Sequence, residues 1–169
     1  MQLIMRFFFI LCLFISGVFF VSGESESKKK IRKYELLVEE ALKYKGTKYV
    51  FGGCDPKGFD CSGFVLYLFK KFDVELPRTS TEQAKSGKRI GLGTVRKGDL
   101  LFFRGSDIKS RKIGHVGIVI SDKHEEVEFI HASTSRGVVV SKLSTEYYKK
   151  RFRKARCFKE LKKKVRVND

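Results

Sequence analysis

The chain of 169 residues carries 36 lysine and arginine residues against 19 aspartate and glutamate, a formal net charge of +17. That length, less a leader, is about one domain, and no internal repeat or low-complexity linker divides it. The charge favours anionic polymers by long-range attraction. There is neither a nucleic-acid motif nor the interleaved basic and aromatic pattern of a base-stacking platform, which sets nucleic acid aside as a partner.

Met1 to Arg6 carries one positive side chain, and Phe7 to Val21 is an apolar run of the signal-peptide kind. The run is too short for an ordinary membrane span of about 20 apolar residues. Val21 and Gly23 suit the positions three before and one before a cut, so residues 1–23 read as a leader; an uncleaved, weakly anchoring segment is the alternative. Cys12, with apolar neighbours on both sides, does not sit in a lipidation site. Export to the periplasm or cell envelope, or beyond the cell, follows, and with it an oxidising setting. A basic segment, residues 24–33, opens the mature chain. Basic residues again dominate from Lys149 to Arg166, opposed only by Glu160, and run into a tail at residues 159–169. In an exported protein such charge suits anionic envelope polymers, or simply forms solvated faces.

Between these ends lies one expected domain, residues 34–158. Ile31, Tyr34, Leu37, Val38, Ala41 and Leu42 recur at helical spacing and predict an amphipathic helix over 31–44, ended by Gly46. Gly52, Gly53, Pro56 and Gly58 make 47–60 a loop. Residues 61–72 are apolar nearly all round, which predicts a central helix that Asp60 can cap. Ser80 and Gln83 have capping-box spacing and predict a short helix stopping near Gly87. After Gly98 the pattern becomes extended, with strands expected at 100–103, 115–121, 127–132, 138–141 and 152–158, and one helical excursion at 145–151. Helices first and strands afterwards predict an α+β domain with an antiparallel sheet.

The chemistry centres on Cys61. A thiol at a helix start meets free N–H groups and the positive end of the peptide dipoles, which predicts a lowered pKa. His115 and His131 each fall in an expected strand. A hairpin centred on Lys123 would set them directly opposite, with Cβ atoms roughly 4.5 to 5.5 Å apart, so that one imidazole orients the other. A one-residue slip would put them on opposite faces. His124 reads as a solvated turn residue. Cysteine as nucleophile, His115 as base and His131 as its support describe a thiol hydrolase. Cys61, His115 and His131 are also a conceivable zinc set with an open position, and a non-catalytic binder of envelope polymer is a third reading. Cys54 and Cys157 are left either to pair with each other or to stay free.

The runs Tyr49-Val50-Phe51-Gly52-Gly53, Phe59-Asp60-Cys61-Ser62-Gly63-Phe64, Leu76-Pro77-Arg78-Thr79-Ser80 with Gln83, Lys97-Gly98-Asp99-Leu100, Gly114-His115-Val116-Gly117 and Phe129-Ile130-His131-Ala132-Ser133 occur in this order. Together they resemble the NlpC family of papain-like cell-wall peptidases, over about Tyr34 to Phe158. The resemblance implies a papain-like domain with N-terminal helices packed on a five- or six-stranded antiparallel sheet and the nucleophile at the start of the central helix. It implies a peptidoglycan endopeptidase, acting as a monomer without cofactor or metal, with Cys61, His115 and His131 catalytic. It further implies that Tyr49, Asp60 and Ser62 bind substrate and that Arg78 and Asp99 are structural. Amidase or acyl-transfer chemistry on the same scaffold stays open, as does the bond cut.

Overall fold

A computed structural model describes residues 25–158. Helix α1 spans Glu26–Leu42, capped by the Ser25 hydroxyl, which accepts from the Lys28 N–H at 3.4 Å. It therefore starts within the segment read from sequence as a basic lead-in. Tyr34, Leu37, Val38 and Ala41 form its buried face, and the Tyr34 hydroxyl donates to the Phe158 carbonyl at 2.7 Å, tying the first helix to the end of the domain. A small hairpin follows, β1 Cys54–Asp55 and β2 Gly58–Phe59. Then come α2 Cys61–Lys71, α3 Ser80–Gln83, β3 Lys88–Ile90, β4 Leu100–Arg104, β5 Ile113–Val119, β6 Glu128–Ser133, β7 Gly137–Lys142, α4 Glu146–Arg151 and β8 Phe152–Cys157.

Six strands form one antiparallel sheet in the order β3-β8-β4-β5-β6-β7. The architecture is the expected α+β, papain-like one. Alternation along the strands gives the sheet two unequal buried faces. On one, Leu100, Phe102, Val116, Ile118, Ile130 and Ala132 meet Phe64, Val65, Leu68 and Phe69 of α2. Phe64 also packs edge-on against Phe59, their ring centroids 5.2 Å apart. Each such side chain, fully buried, contributes about 1.5–3 kcal/mol. The other face carries a smaller cluster of Val95, Leu101, Phe103, Val119, Phe129, Leu143, Tyr148 and Ala155.

Three sequence expectations change in the structure. Strand β3 was not foreseen; Lys88-Arg89-Ile90 has no apolar alternation because it is a short, charged edge strand, paired only with β8. The cap of α3 is Thr79, whose hydroxyl accepts from the Glu82 N–H at 3.3 Å, and Gln83 is buried beneath instead of closing a capping box. The β5–β6 hairpin pairs Ile118 with Ile130 and Val119 with Phe129, two residues away from the expected register. His124 takes a left-handed φ of 73° in its turn. Cys54 and Cys157 are both free thiols. Cys54 packs at the Gly63 end of α2 and the chain after Cys157 packs on Phe69, about 9 Å further along that helix.

Candidate active site

The start of α2 is fixed by Asp60. Its Oδ1 accepts from the Gly63 N–H at 2.7 Å and the Ser62 hydroxyl at 3.1 Å, while Oδ2 accepts from the Gly52 N–H at 3.0 Å. Arg78 grips both oxygens, and its Nη1 also donates to Ser62 Oγ at 3.0 Å. Burial works against ionisation of Asp60, but the Arg78 guanidinium, the Gly63 N–H and the Ser62 hydroxyl outweigh it and hold the carboxyl below its usual range. Gln83 donates to the Ser62 carbonyl at 3.0 Å and the Pro77 carbonyl at 2.9 Å, fixing the same turn from below. A Cβ on Gly63 would come within 2.0 Å of the Gly53 carbonyl oxygen, so only glycine lets the loop lie this close to the helix.

Cys61 is thereby held at the first position of α2, buried, with Sγ 4.0 Å from the Gly114 carbonyl oxygen. The N–H groups of Val116, Ser62 and Cys61 itself face the sulfur. Sequence reasoning predicted a lowered thiol pKa from these groups. Instead, burial and then the Asp60 carboxylate push it up to about 11, more than the N–H groups counter. The sulfur thus lies against the backbone on both sides of His115. Tyr49, half-buried, has its phenol pKa raised by burial and then by the nearby Cys61 and Asp60, which places it on the same rim.

His115 Nε2 lies 2.9 Å from His131 Nδ1, with ring planes at 87°. The pairing is diagonal rather than direct, because Gly117, not His115, stands opposite His131 in the observed register. A shift of two residues keeps both rings on one face. A Cβ on Gly117 would come within 3.1 Å of the His131 Cβ, and its absence leaves room for His131 to lean toward His115. On its other side His131 Nε2 meets the Ser141 hydroxyl at 3.1 Å and the Tyr148 hydroxyl at 3.0 Å. Sequence reasoning missed both hydroxyls. Ser141 carried a signal, as a polar residue closing the apolar run Val138-Val139-Val140; Tyr148, on a separate helix, carried none.

Burial lowers both imidazole pKa values, and for His131 the neighbouring positive charge of His115, if formed, lowers it further. Both rings are neutral at neutral pH. Because each hydroxyl can donate or accept, two tautomer pairs satisfy these contacts. In the one with His115 Nε2–H donating to His131 Nδ1, His131 Nε2–H faces the two hydroxyls and His115 Nδ1 keeps its lone pair for a proton. Among the described residues no group of three or more His, Cys, Asp or Glu is arranged to hold a metal ion.

Residues 46–157 match the NlpC/P60 family, and the chain belongs to that family. It is 37% identical over 139 residues to the murein DD-endopeptidase MepS/murein LD-carboxypeptidase of Escherichia coli K12, an alignment covering 80% of this chain and 70% of that one. A probable endopeptidase of Haemophilus influenzae is 35% identical over 147 residues, covering 86% and 88%. Among solved structures, an NlpC/P60 family protein from Bacillus cereus superposes with a TM-score of 0.68 at 29% identity, covering 75% of this chain and 40% of that one.

Proposed function

We propose that the protein is an exported cysteine endopeptidase that hydrolyses peptide bonds in peptidoglycan, with Cys61 as nucleophile, His115 as base and His131 as the residue that orients it. The observation that carries this reading is the run of contacts from His115 Nε2 through His131 to Ser141 and Tyr148, beside a cysteine at a helix start. In the proposed cycle His115 Nδ1 takes the proton of the Cys61 thiol as its sulfur attacks the carbonyl carbon. The resting pair is a neutral thiol and a neutral imidazole, so this transfer accompanies attack rather than preceding it. The Cys61 N–H, at a helix N-terminus, is set to stabilise the oxyanion, and Tyr49 sits where it can contact substrate or that same oxygen. The C–N bond breaks as the amine takes the proton from His115. Water then attacks the thioester, losing its proton to His115, and the acid leaves as Cys61 regains its hydrogen.

Both oxygens of Asp60 and the hydroxyl of Ser62 are engaged by protein groups. Their part in substrate binding is therefore to hold Cys61 and the Tyr49 loop in place rather than to touch the stem peptide. The leader at residues 1–23 and the tail at 159–169 lie outside the described residues, and no described helix is long and apolar enough to cross a membrane. Export fits a substrate outside the cytoplasmic membrane, and the basic ends fit retention on anionic wall polymers. Digestion of purified peptidoglycan by the chain from Glu24 onward, beside Cys61→Ala, tests the reading. Trimmed stems or lost cross-links with the wild type alone support it. A wall left intact by both would overturn it, and activity abolished by a chelator but not by a thiol alkylator would favour the zinc reading.

A further inference from the structure

Beside the histidine pair lies a cavity of about 330 Å³ whose wall includes His115, His131, Arg104, Arg151, Ser133 and Thr134. The two arginines share an unusual feature. Each is anchored by its Nη1, Arg104 to the Ile108 carbonyl and Arg151 to the Tyr147 carbonyl at 3.3 Å, while the Nε of each is buried with no hydrogen-bond partner. Arg151 is held further by its guanidinium carbon lying 3.8 Å over the Tyr147 ring. Among the described residues no carboxylate forms an ion pair with either guanidinium, and none lines the cavity. Two guanidinium groups anchored beside the proposed base, with no carboxylate partner among the described residues, suit an anion of planar, two-oxygen shape, which guanidinium binds in fork-to-fork fashion.

We infer that Arg104 and Arg151 form a carboxylate subsite that binds the free carboxylate of the diamino acid on the amine side of the scissile bond. The assignment rests on the peptidase reading given above. In that cycle His115 returns its proton to the leaving amine, so the amine-bearing residue lies on the His115 side of Cys61, where the cavity is. In a wall built with a diamino-dicarboxylic acid, that residue carries a free carboxylate whether the bond cut joins it to the stem glutamate or is a cross-link to its second amine. A wall built with lysine offers no such group at that residue. The pair therefore makes the enzyme selective for diamino-dicarboxylate walls over lysine walls or walls in which that carboxylate is amidated.

The test uses matched wall peptides that differ only in whether this carboxyl is free or a carboxamide. Cleavage is measured with the wild type, Arg104→Gln, Arg151→Gln and the double variant, and binding is measured by calorimetry in the Cys61→Ala background. Thermal melts verify that each variant is folded. The wild type is expected to prefer the acid by roughly tenfold to a hundredfold in kcat/KM, as befits charge-assisted hydrogen bonds, and the double variant to bring the ratio near one. Equal use of acid and amide by the wild type, or an equal loss on both peptides in the variants, overturns the subsite. Absence of cleavage with a tenfold binding preference kept in Cys61→Ala supports the subsite and sinks the peptidase reading instead.

Discussion

The two faces of the sheet are built for different tasks. The α2 face is broad, apolar and continuous, and it holds Cys61, the proposed nucleophile, by holding a whole helix. The opposite face is a small aromatic nest of Phe103, Phe129, Tyr148 and Phe152 in which the imidazoles are embedded, with the His131 ring 5.0 Å from Phe129 and 5.3 Å from Tyr148. One face makes the domain fold; the other holds two histidines in one mutual orientation. They meet where the β5–β6 ladder stops at Ile118 and Ile130, and beyond that point the histidine side chains join the two strands. Mutations on the two faces should therefore separate stability from activity.

The largest expected effect is Cys61→Ala, which should lower turnover by roughly 10⁴-fold or more while leaving the melting temperature close to that of the wild type, since it removes one small atom from a helix start. Next, Phe64→Ala on the broad face should cost about 3–5 kcal/mol of stability in denaturant unfolding, because Phe64 is wholly buried. The opposite signature is expected of His131→Ala, a fall of roughly 10²–10⁴ in kcat, as for loss of proton-transfer control, with His131→Asn recovering part of it by restoring a hydrogen-bonding group to His115. Tyr148→Phe should act more gently, costing about 1 kcal/mol and shifting the pH profile of kcat, since Ser141 still serves His131 Nε2.

Two pH dependences sharpen the contrast. Alkylation of Cys61 in the absence of substrate should climb steadily from pH 7 to 10, because burial keeps the thiol protonated. A rate already flat from pH 5 would mean a preformed thiolate–imidazolium pair. Asp60 acts on stability with the usual carboxylate sign: its folded pKa is depressed, so the stabilisation is present above the ordinary carboxylate range and is lost as the pH falls through the folded value. Acid unfolding curves of the wild type and Asp60→Asn should diverge at neutral pH and converge at low pH.

Much of this arrangement was legible in the sequence because it is local. The uniform apolarity of residues 61–72, the Asp60 cap and the short strands around His115 and His131 follow from spacing alone. What was not legible depends on distance. Strand β3 is defined by its partner β8, not by its own pattern. The register differs by two from the expected one, across a turn in which His124 has a left-handed φ, yet the histidines stay on one face because two is the period of a strand. The thiol pKa went the other way because the helix start is buried under the sheet, and desolvation outweighs the dipole there. Arg104 and Arg151 became neighbours of one cavity only through β4 and α4.

The central claim is that Cys61 becomes covalently acylated during turnover. The direct measurement is intact mass of the protein, quenched in acid while it is cleaving a wall stem peptide, followed by peptide mapping. A mass increase equal to the acyl half of the substrate is expected, carried on the peptide containing Cys61 and absent from Cys61→Ala. Steady cleavage with no adduct on Cys61, or with turnover retained in Cys61→Ala, would contradict it.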